Sequence, residues 1–448
     1  MKKLPILSVI AISLVATIAI AAPLQSYYKM KFLGLNSRVN PRLLPDDESP
    51  SMSNVTLEET GSIKERDLFG FYNVAPGDLG NNYITGLFKY YTSTSKYFIA
   101  CAGSKICSGS AGVWTNITNA AINPSTSSYW TSVTFSNELY LFNSSVPMQN
   151  WAGTGNTTTP AGVPSTNCAF GASHKARVWA AKSNTIPYRL YFSSLNNAED
   201  WTTTGGYVDL PDSTQVITGL ISWGGYIFIF TETNIYTLQG STPNDFKLVK
   251  SNSDVGAIAP RSIKVTDKGI FFLARTGVFL FNGTVSYKQS DKIDPTINAI
   301  SNVSIQNACG IWDGQSKYWL SYTPSGATYN QKILVYDTLL KEWYSFDNLY
   351  INYFERAYGG TDKGEMYGGS SLLNGLVYKL QTSTGTESIT HDQSVQFNNN
   401  VSFNTVYGTT PFITEDCLYT ERNSYATNKT TPLDFTLTAN GGTKDATP

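Results

Sequence analysis

A pattern of two short apolar runs joined by a polar turn recurs in the middle of the chain. The first copy is residues 227–230 and 235–238, and the second is residues 269–273 and 278–281. Short runs rich in aromatic and β-branched residues, separated by turn residues, are typical of β-hairpins. The copies recur at a spacing of roughly 40–50 residues, which is the length of one β-propeller blade. The sequence therefore predicts an all-β chain built around a β-propeller.

Weaker copies of the pattern on both sides raise the predicted number of blades to about six or seven. The predicted blades lie at residues 97–117, 130–142, 177–210, 217–248, 262–287, 317–346 and 353–380. Aromatic residues make up 13% of the chain, which suits sheets that pack face to face through large side chains. We therefore expect a propeller over residues 84–385.

The segments that flank this propeller have different patterns. Residues 1–22 have the positive start, apolar core and small-residue end of an export signal, although a start at Met30 would remove them. Residues 23–83 contain several prolines and are predicted to form an extended arm with short strands. Within residues 386–448, residues 394–407 and 433–438 alternate apolar and polar positions, which predicts a C-terminal β appendage or oligomer contact. Residues 440–448 are predicted to form a flexible tail.

Charge is sparse and nearly balanced along the chain. Charged residues make up 15% of the sequence, and the formal net charge is −1. A chain of this composition lacks the basic field with which proteins capture nucleic acids. Electrostatic binding of DNA is therefore not expected.

A search for catalytic and metal-binding patterns predicts no enzyme, cofactor or metal. The two histidines, His174 and His391, stand outside any metal-type spacing, and there is no phosphate-binding loop or nucleophile elbow. Asp291 and Asp294 are the best candidates for calcium, but no oxygen-rich loop surrounds them. His174 precedes a predicted strand, so we expect a role in a turn or in an inter-blade hydrogen bond.

One turn deserves comparison with propeller glycosidases. Residues 197–201 superficially resemble the repeated turn of sialidases but lack its glycine and its Ser-x-Asp start. We therefore interpret the segment as a structural turn, capped by Asp200 and with Trp201 packed against it. For carbohydrate stacking, an aromatic residue in a loop, such as Trp151 or Trp201, is a better surface candidate than the aromatics within strand runs.

The cysteines show no framework pattern. An odd number at irregular spacing does not indicate a set of disulfides or a zinc site. Cys101 and Cys107 would pair only if a hairpin aligned them, and we expect the cysteines to be small buried side chains. The five are Cys101, Cys107, Cys168, Cys309 and Cys417.

Several short motifs follow one another in a fixed order over residues 217–281. They include Gly219, Tyr236, Gly240, Asp254, Gly256, Pro260, Arg261, Gly269 and Gly277. The ordered set resembles the β-propeller-containing tail proteins of short-tailed bacteriophages, namely the tail hub, or packaged-DNA-stabilisation protein, and the related tail tube nozzle. The arm fits the same resemblance at residues 34–36, 41–45, 54–55 and 61–66. The resemblance covers about residues 31–290 well and the rest of the chain loosely.

The resemblance implies a non-enzymatic virion protein in which these motif residues have structural roles. Such proteins form a ring, implied here to be a homo-hexamer, below the portal and adaptor and beside other tail proteins. The ring retains packaged DNA and conducts it during ejection without sequence-specific binding. A membrane partner is implied only if residues 1–22 are used as a signal.

The export-like segment departs from this family, whose members assemble in the cytoplasm. It favours an alternative, an exported β-propeller that binds glycan or protein at the cell surface. A secreted glycosidase is a third hypothesis, for which no carboxylate pair stands out. The sequence leaves hub and nozzle roles open.

Overall fold

The computed structural model is almost entirely β-structure. It describes residues 32–41, 43–45, 47–58, 61–164, 166–357, 364–382, 391–397, 401–407, 435–439 and 442–446. Residues 1–22, Met30 and Cys417 lie outside this part of the chain. Of the tail predicted to be flexible, residues 442–446 are described, and they form a strand. In the described ranges, no helix combines the length and apolar character needed to cross a membrane.

Seven antiparallel sheets form the blades of a β-propeller. The strands of the arm are β1 (Met52–Ser53), β2 (Val55–Leu57), β3 (Ile63–Glu65) and β4 (Leu68–Phe71). Blade one is β5 (Ile84–Tyr91), β6 (Lys96–Ala102), β7 (Lys105–Ser110) and β8 (Val113–Asn116). Blade two is β9 (Trp130–Phe135), β10 (Glu138–Asn143) and β11 (Val146–Trp151). Blade three is β12 (Cys168–His174), β13 (Arg177–Ser183), β14 (Arg189–Phe192) and β15 (Gly206–Asp209).

The remaining blades follow in chain order. Blade four is β16 (Gly219–Trp223), β17 (Tyr226–Phe230), β18 (Ile235–Gln239) and β19 (Lys247–Lys250). Blade five is β20 (Lys264–Val265), β21 (Ile270–Ala274), β22 (Gly277–Phe281) and β23 (Ser286–Lys288). Blade six is β24 (Cys309–Trp312), β25 (Lys317–Tyr322), β26 (Lys332–Asp337) and β27 (Glu342–Asp347). Blade seven contains β28 (Ile351–Ala357), β29 (Glu365–Ser370) and β30 (Val377–Thr382).

Short helices lie between the strands, mostly before or after a blade. The one α-helix among the described residues is α1 (Asp294–Asn298). The 3-10 helices are Gly77–Leu79, Pro260–Ser262, Asp291–Ile293 and Ile305–Asn307.

The apolar runs that predicted the fold are the middle strands of the blades. In β17, Ile227 and Ile229 pack into the core between blades three and four. Phe228 and Phe230 point to the other face and pack into the core between blades four and five. A middle strand is covered on both faces, so its sequence is continuously apolar and does not alternate. Burial of each such side chain stabilises the fold by about 1.5–3 kcal/mol.

The ring is closed by a strand from the N-terminal side. Strand β4 pairs with β30 as the outermost strand of blade seven, with Phe71 opposite Tyr378 and Gly70 opposite Lys379. The propeller therefore starts at Leu68, earlier than the predicted boundary at residue 84. Blade seven thus joins two segments that are about three hundred residues apart in the chain, as in the loop closures that ring folds require.

The arm before β4 covers the outer edge of blade six. The amide of Leu35 donates to the carbonyl oxygen of Trp343 at 2.7 Å, and that of Asn54 donates to Ser345 at 2.9 Å. The amide of Asp347 in turn donates to Oδ1 of Asn54 at 3.0 Å. These bonds satisfy the outward groups of β27, which would otherwise be an open sheet edge.

A partly buried ion cluster also fixes the arm to the propeller. The Lys292 ammonium lies 2.8 Å from Glu48 of the arm and 2.8 Å from Glu342 of β27. Nδ2 of Asn36 donates to Glu48 at 2.6 Å. Burial raises the pKa of Glu342, and Lys292 acts in the opposite direction. The arm is therefore held by charge as well as by backbone hydrogen bonds.

The C-terminal β appendage is built on the arm. Its strands are β31 (His391–Phe397), β32 (Val401–Tyr407), β33 (Phe435–Ala439) and β34 (Gly442–Ala446). Strand β1 pairs with β31, with Met52 opposite Val395, and the sheet runs in the order β1-β31-β32-β33-β34. Both ends of the described chain therefore meet in one sheet beside blade six.

Candidate functional site at the channel mouth

The inner strands of the blades surround the central channel. They are β5, β9, β12, β16, β20, β24 and β28, and each contacts the next in a closed cycle. Because all of these strands run the same way along the channel, the residues just before them converge at one end. We call this end the channel mouth. It is formed by Tyr83, Tyr129, Arg261, Asn307 and Asn352 with the loops beside them.

Arg261 and Tyr129 meet across the mouth, although they belong to blades five and two. Cζ of Arg261 lies 3.2 Å from the centroid of the Tyr129 ring. Nη2 of Arg261 donates to the carbonyl oxygen of Asn307. The hydroxyl of Tyr129 donates to Oδ1 of Asn352 at 3.1 Å, and Asn352 donates to Ile84 at 2.7 Å. This chain of contacts fixes the plane of the guanidinium group.

Two nitrogens of this guanidinium group have no hydrogen-bond partner. Arg261 is 7% exposed, and both Nε and Nη1 are buried without an acceptor. None of the ion pairs among the described residues includes Arg261. A buried cation with unpaired donors destabilises a folded protein, so we treat this arginine as a candidate for ligand binding.

Tyrosines and a shallow depression lie beside Arg261. Burial and Tyr129 raise the pKa of Tyr83, while Arg261 acts in the opposite direction. Tyr329 also raises it, and Tyr329 lines a depression of about 590 Å³. The depression is connected to the arginine by Asn330, whose Nδ2 donates at 2.9 Å to the same Asn307 oxygen that Arg261 uses.

Further charged side chains lie along the inner strands. The Lys89 ammonium is 3.5 Å from Glu355 and donates to the carbonyl oxygen of Arg356 at 2.8 Å. Burial raises the pKa of Glu355, and Lys89 and Lys264 oppose that effect. Burial lowers the pKa of Lys264, and Arg261 adds to the lowering. The channel and its mouth thus hold three cations near one carboxylate.

The nine motif residues do not form one site. Gly219 begins β16, Tyr236 lies in β18, and Gly240 follows that strand; Asp254, Gly256, Pro260 and Arg261 lie between blades four and five; Gly269 and Gly277 flank β21. Among the nine, Arg261 is the residue that belongs to the channel mouth.

Two of these glycines have a clear structural reason. Gly240 has a φ of 98°, and an added Cβ would lie 2.3 Å from the carbonyl oxygen of Asp245. At Gly256, a Cβ would lie 2.1 Å from the carbonyl oxygen of Thr231. Neither place has room for another side chain. Asp254, in contrast, is exposed and lies 3.7 Å from Lys250.

The turn at residues 197–201 is structural, as interpreted from the sequence. Asp200 accepts hydrogen bonds from the amides of Thr202 and Thr203 at 3.0 and 2.9 Å, and from Ser194 at 2.8 Å. These bonds hold the pKa of Asp200 well below its usual range, with the Thr203 amide as the largest cause. Trp201 packs beneath the turn.

Trp151 and Trp201, named as better surface candidates than the aromatics within strand runs, are both buried. They are 4% and 6% exposed. Their indole nitrogens donate to Gly155 at 3.0 Å and to Ala198 at 2.7 Å, within their own loops. Trp151 ends strand β11 and Trp201 lies in a turn, and both side chains fill cores of the propeller.

The two calcium candidates and His174 make contacts within the protein itself. The Lys288 ammonium lies 2.6 Å from Asp294 and 3.8 Å from Asp291, where a cation site had been considered. No cluster of three or more potential metal ligands occurs within the described ranges. The backbone oxygen of His174 accepts a hydrogen bond from Trp179 at 2.9 Å, and burial lowers the pKa of its imidazole. The side chain of His391 lies outside the description.

The described cysteines are buried and free, as expected from their spacing. They are Cys101, Cys107, Cys168 and Cys309. In the hairpin of β6 and β7, Cys101 lies opposite Ile106 and Cys107 lies opposite Ala100. The two thiols therefore point to opposite faces of the sheet, so this hairpin does not align them for a disulfide.

Sequence reasoning named Arg261 but missed its partners at the mouth. Tyr83 and Tyr129 each come immediately before an inner strand, β5 and β9. That shared position was a usable signal for Tyr129, because its strand was predicted. It was not usable for Tyr83, because β5 was not predicted.

Comparisons with known proteins identify no family for this chain. No protein-family model matches the chain, and no curated protein does. The similar solved structures include one titled "YCF48 bound to D1 peptide", with a TM-score of 0.42 and 10% identity. The similarity covers 68% of this chain and 93% of that one. Likeness at this level carries no information on function, and the closed cycle of blades defines the propeller by itself.

Proposed function

We propose that this protein is a non-enzymatic structural component of a short bacteriophage tail, a hub or nozzle subunit. In this role it forms a homo-hexameric ring below the portal and adaptor, retains packaged DNA and lines the path of its ejection. The ordered motifs over residues 217–281 suggest the proposal. The geometric observation that supports it most is the appendage sheet β1-β31-β32-β33-β34. Strands from both ends of the described chain form this sheet beside blade six.

This sheet suits contacts between neighbouring copies. One end of it, β1, lies against β27 of the propeller. At the other end, β34 has a neighbour on one side only among the described strands. A sheet edge is a template for pairing with another chain. Contacts from such an edge to a different surface of the next copy are heterologous, and they close into a ring when the rotation allows it.

The channel of a single propeller is not the DNA path in this proposal. Arg261 and Tyr129 stack across its mouth, so a duplex would have to displace buried side chains to pass. DNA therefore travels through the lumen of the ring, between propellers. A formal net charge of −1 supports sliding, since protein that neutralises few phosphates holds DNA weakly.

Peptide mass spectrometry of purified particles tests the proposal. We expect peptides of this protein, at constant stoichiometry to the portal, in DNA-containing particles. A peptide that begins at Met1 or near Met30 would show that residues 1–22 are not removed by export. Particles of normal composition that lack this protein would contradict the proposal.

A second candidate is an exported propeller that binds glycan or protein at the cell surface. The unused donors of Arg261 favour it, because they give the channel mouth the chemistry of a binding site. It predicts a mature N-terminus at Ala22 or Pro23 in the periplasm or medium. The same peptide mapping, applied to envelope fractions, distinguishes it from the tail component.

A further inference from the structure

Arg261 lacks a counter-charge in a place that solvent barely reaches. It is 7% exposed, and its Nε and Nη1 have no acceptor. Desolvation of a guanidinium without an ion-pair partner costs several kcal/mol, and a bound anion offsets that cost. Arginine prefers carboxylate and phosphate groups because its planar donors match their oxygens. The side chain therefore selects an oxyanion.

The arginine is already fixed in position for such a ligand. Its face lies on Tyr129, and its Nη2 donates to Asn307. Asn307 is held in turn by Asn330, and Tyr129 is held by Asn352. Because the side chain is immobilised before binding, little conformational entropy is lost on binding.

The surrounding charge also favours an anion. Glu355 is the carboxylate near this part of the channel, and it is paired with Lys89 at 3.5 Å. Burial lowers the pKa of Lys264 in the same part of the channel; Glu355 opposes that effect, and Arg261 and Lys89 add to it. Lys89, Lys264 and Arg261 thus outnumber the Glu355 carboxylate in this part of the channel, and their combined field favours an anion at the mouth.

The neighbouring depression indicates what the rest of the ligand is. Its volume is about 590 Å³, within the range of roughly 300–1,000 Å³ for small-molecule sites. Its lining offers hydroxyl, amide and tyrosine groups, from Ser325, Thr328, Tyr329, Gln331 and Tyr350. Tyrosine rings pack on the C–H faces of a sugar, while hydroxyl and amide groups hydrogen-bond its hydroxyls.

We propose that the channel mouth binds an acidic sugar, with its oxyanion on Arg261 and its hydroxylated ring in the depression beside Tyr329. Asn330 links the two halves of this site, since it lies between Tyr329 and Gln331 and shares the Asn307 acceptor with Arg261. The oxyanion is a carboxylate or a phosphate, which are the two groups that a buried arginine recognises in the same way.

Isothermal titration of the full chain with three sugars tests this site. Glucuronate carries a carboxylate, glucose 6-phosphate carries a phosphate, and glucose carries neither. We expect at least one acidic sugar to bind at least about tenfold more tightly than glucose, and the stronger of the two identifies the oxyanion. Failure of both acidic sugars to bind at millimolar concentration would overturn the proposal.

Variants locate the binding on the mouth. Arg261→Gln should weaken the acidic sugar by roughly 10–100-fold, since it removes hydrogen bonds to a charged group. Arg275→Gln is the matched control, because Arg275 is 55% exposed and paired with Glu232, and it should leave affinity unchanged. Unchanged affinity in a folded Arg261→Gln protein would overturn the assignment.

Tyr329→Ala keeps the test decisive if Arg261→Gln does not fold. Tyr329 is only half-buried, so this change should preserve the near-UV circular dichroism spectrum. It should weaken binding of the acidic sugar several-fold. Acetate carries the oxyanion without a ring, so its weaker binding should stay unchanged. Retention of full affinity for the acidic sugar would contradict the placement of the ring.

The inference does not depend on the tail proposal. Sugar binding is measured on purified protein, whereas the tail role is measured by the composition of particles. Either result can therefore fail while the other stands.

Discussion

Asn54 offers the most direct test of how the arm is attached to the propeller. It is 1% exposed and has a φ of 57°, the left-handed region that asparagine tolerates better than alanine. Its Oδ1 accepts from the Asp347 amide at 3.0 Å and from Nε of Arg66 at 3.2 Å. We predict that Asn54→Ala loosens the arm from the edge of blade six.

The magnitude follows from those contacts. Alanine removes the acceptor of a buried donor, Nε of Arg66, and of a partly buried donor, the Asp347 amide. A buried donor that loses its partner costs about 1–3 kcal/mol, and a partly buried one costs less. The left-handed backbone adds about 1–2 kcal/mol for a residue with a Cβ and no local hydrogen bond. Because the terms are not fully additive, we expect a loss of about 3–6 kcal/mol in the free energy of arm detachment.

Two other substitutions separate these terms. Asn54→Gly tolerates the left-handed conformation and loses the acceptor, so it should show only the hydrogen-bond part of the loss. Asn54→Asp keeps the acceptor and strengthens the bond from Arg66, so it should remain near the wild type. The expected order of stability is therefore wild type and Asp, then Gly, then Ala.

Hydrogen exchange of the peptide that contains Asp347 is the suitable assay, because it reports local opening as well as global unfolding. The Asp347 amide should exchange faster in Asn54→Ala by a factor that corresponds to the loss of free energy. A protease should also cleave the arm sooner. Wild-type protection of this amide in Asn54→Ala, or equal losses in the Asp and Ala variants, would refute the reasoning.

Three further perturbations test the ring closure, a turn and the core. Removal of all residues up to Phe71 takes away β4, the outermost strand of blade seven, whereas removal of all residues up to 66 keeps it. The first truncated protein should therefore melt at a lower temperature than the second, which calorimetry can measure. Asp200→Asn should destabilise the protein at neutral pH, because it removes the carboxylate charge that the hydrogen bonds to Asp200 stabilise. The bond from the Thr203 amide is the largest cause of the lowered Asp200 pKa. The stabilisation by the Asp200 carboxylate is fully present above the pKa that Asp200 has in the unfolded chain, and it is lost as the pH falls towards the lower pKa in the folded protein. The difference in urea midpoint between the wild type and Asp200→Asn should therefore shrink in acid. A difference that stays constant with pH would count against this prediction. Burial raises the thiol pKa of Cys107 and of Cys168 to about 12, so both should resist iodoacetamide at mildly alkaline pH until the protein is unfolded, which peptide mapping can show.

The sequence predicted the middle strands of the blades better than the inner ones. Middle strands such as β17 and β21 are apolar on both faces and stand out as runs. Inner strands crowd around the channel, where small or polar residues replace bulky ones. Gly171 in β12 shows this, because a Cβ there would lie 2.2 Å from the ring of Phe142. Strand β12 was missed for this reason.

Ring closure escaped prediction for a different reason. Strand β4 has the sequence Leu-Phe-Gly-Phe, which is compatible with a strand but contains no information on its partner. Its partner, β30, lies near the other end of the propeller. The arm therefore looked separate from the propeller, although its last strand completes blade seven. Pairing between distant segments leaves no local pattern to detect.

The channel mouth was unpredictable as a whole for the same reason. Tyr83, Tyr129, Arg261, Asn307 and Tyr329 lie in different blades or connections, and only the circular arrangement brings them to one end. Among them only Arg261 was named from sequence, as a structural motif residue. Its unused nitrogens are visible only when its neighbours are known, since an exposed arginine would donate to water.

The positions of the two proposed sites make their tests independent. The mouth lies at the inner strands. The sheet proposed for ring contacts begins with β1, which lies against β27, the outermost strand of blade six. Three strand spacings separate the inner and outer strands of a blade, which amounts to roughly 14 Å. Arg261→Gln should therefore weaken sugar binding without changing the oligomeric state, and truncation after residue 390 should change the oligomeric state without weakening sugar binding. If Arg261→Gln instead dissociated a purified ring while its circular dichroism stayed unchanged, the mouth itself would be a contact between copies, and the unused nitrogens would be filled by a neighbouring chain.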